Sequence, residues 1–212
     1  VKSKKFFKHL VTFDGVLEGV FASSGYDLNK NKLVYDESIF DSSLNKWVRT
    51  PKGQLHVIPS YLEAHPVFLT NLFTDVDKKT GFIFISYDHH SPEFAQFMIE
   101  LIYTELNNLS RSLEYSESQN AITFYQEITN TTQVTNIRNS INRLLEMELQ
   151  KSMLASTKTN YLVEYIDDPV VPIKKIFPKR SLLMTLIVFF GFIVSLFFIL
   201  LKHFVFSLPK RS

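Results

Sequence analysis

Asp167-Asp168-Pro169-Val170-Val171-Pro172-Ile173-Lys174-Lys175-Ile176-Phe177-Pro178-Lys179-Arg180 leads into Leu182–Leu201, and the rest of the chain is organised around this run. Residues 182–201 are twenty positions without a charge, among them Phe189, Phe190, Phe192, Phe197 and Phe198. A helix of that length, at roughly 1.5 Å per residue, matches the roughly 30 Å hydrocarbon core of a bilayer. Lys179 and Arg180 bound it on one side and Lys202 on the other, where long cationic side chains reach headgroups. A core helix of a soluble protein seldom runs so long without a polar face. The expectation is a transmembrane helix over 182–201 and a short tail over 202–212. Gly191 and Ser195, four residues apart, offer a small-residue surface to a second helix. Over 169–180, Pro169, Pro172 and Pro178 disfavour helix and cannot donate to a sheet, so an extended spacer with a basic collar is expected.

Outward from the span, about 165 of the 212 residues are left for one water-exposed domain over 1–168, enough for a sizeable core. The net charge is +2, and the cations gather at Lys2–Lys8 and Lys174–Arg180 rather than in a stripe that would suit nucleic acid. Cysteine is absent, which excludes a disulfide scaffold and thiolate metal ligands. Lysine and arginine on both sides of the span leave its orientation open.

Phe6, Phe7, Leu10 and Val11 recur at helical spacing and predict a short amphipathic helix over 3–13. Residues 25–32 read as a loop, 50–53 as a turn and 55–58 as a short strand. A helix is expected over 60–73, broken near His65 by Pro66. Residues 75–81 read as a polar turn before the clearest strand, Phe82–Tyr87. Ser91-Pro92-Glu93 then supplies an N-cap, a proline at the first helical position and an acid at the positive end of the dipole.

The helix so opened runs to about residue 129, with a seam through Ile102, Leu106, Leu109 and Leu113 at spacings of four, three and four. The stretch 114–120 is polar, and Ala121, Phe124, Tyr125 and Ile128 resume the stripe. Such a helix is too long for its own small domain to bury, so it projects or packs against further copies. Thr131 or Thr132 can cap a return helix over about 133–155, with Val134, Ile137, Ile141, Leu144, Leu145 and Leu149 on one face. Residues 160–166 read as a strand that could pair with Phe82–Tyr87. The expected fold class is α/β: a small membrane-proximal base, a long projecting helix with a return helix, and a C-terminal transmembrane helix.

Asp88-His89-His90 is the cluster that most invites a metal, but adjacent strand residues point to opposite faces and no further acidic motif accompanies it. No glycine-rich phosphate loop, nucleophile elbow or zincin motif is present. Neither a catalytic residue nor a cofactor is expected, and the cluster reads as a polar strand-to-helix turn.

The chain resembles the Wzz family of chain-length determinants, the polysaccharide co-polymerases of Gram-negative bacteria. The residues that carry the resemblance are Thr80–Ser86, His90–Ala95, Glu148–Ala155, Tyr161–Asp167 and Pro169, Pro172, Lys174, Lys175 and Pro178–Arg180, ahead of the final span. It extends from about Trp47 to Leu201 and is weaker before that. The resemblance implies an inner-membrane protein with its main domain in the periplasm and its C-terminal tail in the cytoplasm. It implies rings of several copies that set the length of O-antigen or a related polymer, with a polymerase partner and contact with the lipid-linked polysaccharide. The family's first transmembrane segment is missing from these residues, which suggests a piece of a longer protein. The tail is also too short for the kinase of some relatives. On this reading Pro169, Pro172, Pro178, Lys179, Arg180 and Gly191 form the collar and span, and Ile102, Leu106, Leu109 and Leu113 the assembly seam. Two other classes compete: a membrane-anchored periplasmic sensor or adaptor, and an exported metal-dependent hydrolase using Asp88, His89 and His90.

Overall fold

The computed structural model describes residues 1–51, 53, 55–171 and 180–206. The chain divides into two units, Val1–Val171 and Pro172–Ser212. In chain order the first carries α1 (Lys4–Leu10), α2 (Val16–Ala22), β1 (Ser23–Asp27), β2 (Lys32–Tyr35), β3 (Phe40–Asp41), β4 (Lys46–Trp47), α3 (Tyr61–Asn71), β5 (Leu72–Val76), β6 (Ile83–Tyr87), α4 (Pro92–Thr131) and α5 (Thr135–Thr157). The second carries α6 (Arg180–Phe206), in which Met184–Lys202 is long and apolar enough to cross a membrane and has none of its residues buried within the chain.

Helices and three small antiparallel sheets, β1–β2, β3–β4 and β5–β6, make a mixed α/β fold. The core is built where helical spacing put the apolar residues. Phe7 and Leu10 of α1, Val16 and Val20 of α2, Ala64 and Phe68 of α3, Leu72, Tyr87 and Met98, Leu101 and Ile102 of α4 form one cluster. Phe7 and Phe68 stack with ring centroids 4.6 Å apart. Ser3 caps α1, accepting from the Phe6 N–H.

Several expectations need correcting. The region 25–32 is a hairpin, not a loop. Tyr26, Gly25 and Asp27 pair with Leu33, Val34 and Lys32, and Asn31 takes a left-handed φ of 52° at the turn. Residues 55–58 are irregular rather than a strand. The helix at α3 is unbroken through Pro66, which lies on the exposed side, as does Leu62 one turn before it. That helix ends at Asn71, and Leu72 and Phe73 begin β5, the partner of β6. Residues 160–166 form no strand and do not pair with β6. Thr132 ends α4 rather than capping α5. The cap position of α5 is Val134, and its side chain makes no capping hydrogen bond.

The Ser91 expectation holds. Its hydroxyl accepts from the Phe94 N–H, Pro92 sits in the first turn, and α4 runs without interruption for 40 residues, about 60 Å.

Candidate functional site

The features that single this fold out are the long helical hairpin and the segment leading away from it towards α6. Along α4, the residues packed against the core end at Leu109. Ile102 is buried, and Leu106 and Leu109 are half-buried against the same core. Leu113 is 60% exposed. The first three seam positions therefore hold α4 to its own base, and Leu113 lies beyond it. Phe124, three turns further along the same face, is also exposed.

The opposite face of α4 receives α5. Ser118 is fully buried and donates to Glu148 Oε2 at 3.2 Å, and Gln119 Nε2 donates to Ser152 Oγ at 2.8 Å. These pairs fix the register of the two helices, and Asn107, earlier on α4, meets Val163 just past the end of α5, as an antiparallel return requires. The polar stretch 114–120, which interrupts the stripe in the sequence, is thus part of the helix–helix contact. Ile122, Ile141 and Ala155 complete it. The stripe expected on α5 is only partly covered. Ile141 is buried and Leu145 half-buried, whereas Val134, Ile137, Leu144 and Leu149 are exposed, as is Met147.

Residues 161–166 leave the hairpin in extended form, with Tyr161, Val163 and Tyr165 turned inward and Leu162, Glu164 and Ile166 outward. Asn107, 2% exposed, stands in for a neighbouring strand. Its Oδ1 accepts from the backbone N–H groups of Leu162 (2.8 Å) and Val163 (3.1 Å), and its Nδ2 donates to the Val163 carbonyl (3.0 Å). Tyr165 stacks on Tyr103 with centroids 3.6 Å apart. Burial, with Tyr103, Glu100 and Asp168 adding to it, pushes the Tyr165 hydroxyl up to about 12. One further buried polar group lies nearby on α4: Glu105 meets His9 Nε2 at 2.5 Å and accepts from Asn108 at 3.0 Å. Nothing in the local sequence marks Asn107 or Glu105. Their partners lie 55 and 96 residues away.

Of the collar and span residues, Pro169 is half-buried in irregular chain just past this clasp. Pro172, Pro178 and Lys179 lie outside the described residues, and Arg180 opens α6. A Cβ built on Gly191 would meet nothing within 4 Å, so that face of α6 is open within the chain.

The Asp88-His89-His90 turn is structural. His89 Nδ1 accepts from the Ser91 N–H at 3.2 Å, so the ring proton sits on Nε2, which lies 3.0 Å from both the Gly19 carbonyl and Ser23 Oγ. Burial lowers the His89 pKa, the Gly19 carbonyl opposes that shift, and His90 adds to it. A nitrogen that carries its proton towards a carbonyl cannot act as a base for Ser23, so the Ser23–His89 contact is not a nucleophile–base pair. The ring packs on Phe94 at 4.4 Å, and Phe94 in turn fills the space where a Cβ on Gly19 would stand. Among the described residues, no group of three or more His, Asp and Glu is placed to hold a metal ion.

No known protein-family model matches the sequence, and no curated protein matches it either.

Proposed function

We propose that the chain is a non-enzymatic regulator of polysaccharide chain length in the bacterial inner membrane, an oligomeric co-polymerase of the Wzz type acting with a polymerase on O-antigen or a related polymer. The observation that carries this reading is the combination of a membrane-length apolar helix with a 40-residue helix that runs on past its own core and leaves Leu113, Tyr115 and Phe124 uncovered there. Those uncovered side chains are suited to contact with further copies, and the apolar helix to contact with a membrane partner. On this reading the domain lies in the periplasm, α6 anchors it, and Pro169, Pro172, Pro178, Lys179 and Arg180 hold it close to the headgroups beside the polymerase. Gly191 then gives a neighbouring membrane helix room to approach.

The test is complementation. The full-length protein is expressed in a strain that has lost its own chain-length determinant but keeps a polymerase, and lipopolysaccharide is resolved on a gel. A random ladder that collapses into a preferred band cluster is the expected outcome. An unchanged ladder with abundant, membrane-inserted protein and its native polymerase refutes the reading and leaves an anchored sensor or adaptor in its place.

A further inference from the structure

The β5–β6 hairpin is anchored at one end and bare at the other. Its register runs from Leu72 opposite Tyr87, both buried in the core, to Val76 opposite Ile83. Val76, Phe82, Ile83 and Phe84 are 53%, 47%, 55% and 59% exposed, an apolar group far larger than the single exposed residues normal on a soluble surface. The turn that joins the strands is ordered from within. The Asp77 N–H donates to the Phe82 carbonyl at 2.9 Å, the Gly81 N–H donates to the Asp77 carbonyl at 2.7 Å, and Gly81 takes a φ of +75°.

Lysines flank these apolar residues. Lys78 and Lys79 stand exposed at the tip. Lys2 lines a groove on the hairpin with Phe73, Phe84 and Asp75, and Lys4 and Lys5 follow it within one turn of α1. Asp77 accepts from the Lys79 N–H at 2.8 Å and from Thr80 Oγ1 at 2.9 Å, and Asp75 is exposed opposite Phe84, so these two carboxylates balance Lys78 and Lys79 and the positive excess of this face comes from the exposed Lys2, Lys4 and Lys5.

We infer that the tip of this hairpin, Val76–Phe84, is a docking element for an anionic phospholipid surface, with Phe82, Ile83 and Phe84 entering the headgroup–acyl boundary and Lys78 and Lys79 meeting phosphates. Large apolar side chains interleaved with lysines on a preordered turn fit an interface that is apolar below and anionic above. The inference rests on the reading of α6 as a membrane anchor. A chain so anchored keeps a bilayer at high effective concentration, so a weak docking element suffices.

The chain has no cysteine, so Thr80→Cys provides a unique labelling position at the tip. The full chain, labelled there with nitrobenzoxadiazole, is placed in nanodiscs of phosphatidylcholine alone or mixed with phosphatidylglycerol. The expected result is blue-shifted emission, quenched by nitroxide-bearing lipids, only in the anionic discs and weakened by added salt. Lys78→Gln with Lys79→Gln lowers the docking constant about thirtyfold, while an unchanged melting curve shows the fold intact. A label that stays in water in both lipids overturns the proposal. So does a label shielded equally in both lipids and in detergent, which identifies a second copy or another protein as the cover. A chain that fails to co-purify with the discs removes the membrane-anchor reading and docking with it, whereas an inserted chain with a wet tip removes docking alone.

Discussion

Asn107→Ala isolates the link between the helical arm and the segment that leads to the membrane-length helix. Three of the side chain's hydrogen bonds hold that segment: two from the backbone N–H groups of Leu162 and Val163 and one to the Val163 carbonyl. A net 0.5–1.5 kcal/mol each gives about 1.5–4.5 kcal/mol. Leu162 is exposed, so the freed backbone can rehydrate, and the cost falls towards the lower part of that range, about 2 kcal/mol. That shifts the opening equilibrium of residues 161–165 about thirtyfold while leaving the core around Phe68 in place. Hydrogen exchange on the full-length protein is the assay. The Leu162 and Val163 amides should exchange about thirtyfold faster, with core amides and the melting transition little changed. Asn107→Asp keeps the acceptor and loses the donor, so it should fall between the two. Unchanged exchange at Leu162 and Val163 refutes the clasp. A global loss of protection with no local excess would make Asn107 a core residue rather than a tether. If the tether matters for function, Asn107→Ala should also scatter the polymer lengths at equal protein abundance.

Gly19→Ala sets helix propensity, which favours Ala by about 1 kcal/mol, against a Cβ placed 2.1 Å from the Phe94 ring. The steric cost of about 1–3 kcal/mol should win and lower the melting temperature, and a stabilised variant would show that Phe94 is free to move. Arg49 beside Glu63 and the Ser60 N–H hold the Glu63 carboxyl down at about 2 from an ordinary 4.5, so its contribution is complete above about 4.5 and is lost as pH falls towards about 2. Acid melting curves of Glu63→Gln should accordingly be flatter than wild type over that interval, and parallel curves would remove the pair from the acid response. Leu109→Asp should lower the melting temperature by placing a charge against the core, at a cost of about 2 kcal/mol. Leu113→Asp should leave the monomer's melt within about 0.5 kcal/mol and weaken assembly measured by sedimentation, and an unchanged oligomer would take Leu113 off the contact surface.

Elements whose signals are local were legible in the sequence, and those decided by distant partners were not. Ser91-Pro92-Glu93 states its own helix start, and Phe82–Tyr87 its own strand, because cap chemistry and β-branched alternation need no further context. Residues 161–166 are instructive in a different way. The strand expected over 160–166, paired with Phe82–Tyr87, does not form, because its backbone finds its partner in the Asn107 amide on a helix, which no local signal announces. Pro66 misled because the cost of a proline depends on its surroundings, and here Pro66 and Leu62, one turn before it, both lie on the exposed side of the helix. The hairpin over Ser23–Tyr35 was hidden by the polar first strand, Ser23–Asp27, and by the asparagines of its turn, where Asn31 takes the left-handed φ.

The contact between the two helices of the arm is mixed, and the mixture separates two tasks. Ile122, Ile141 and Ala155 are buried there, beside Ser118, Gln119, Glu148 and Ser152, hydrogen-bonded groups that fix one register but contribute little net stability once their lost hydration is counted. Outside lie Leu113, Phe124, Ile137, Leu144 and Met147, whose area stabilises only when it is covered. Ile122, Ile141 and Ala155 hold the hairpin from within, and the exposed apolar side chains leave further area to be covered. On the proposed reading that area is where neighbouring copies pack, so assembly adds stability to an arm whose register each chain already sets for itself.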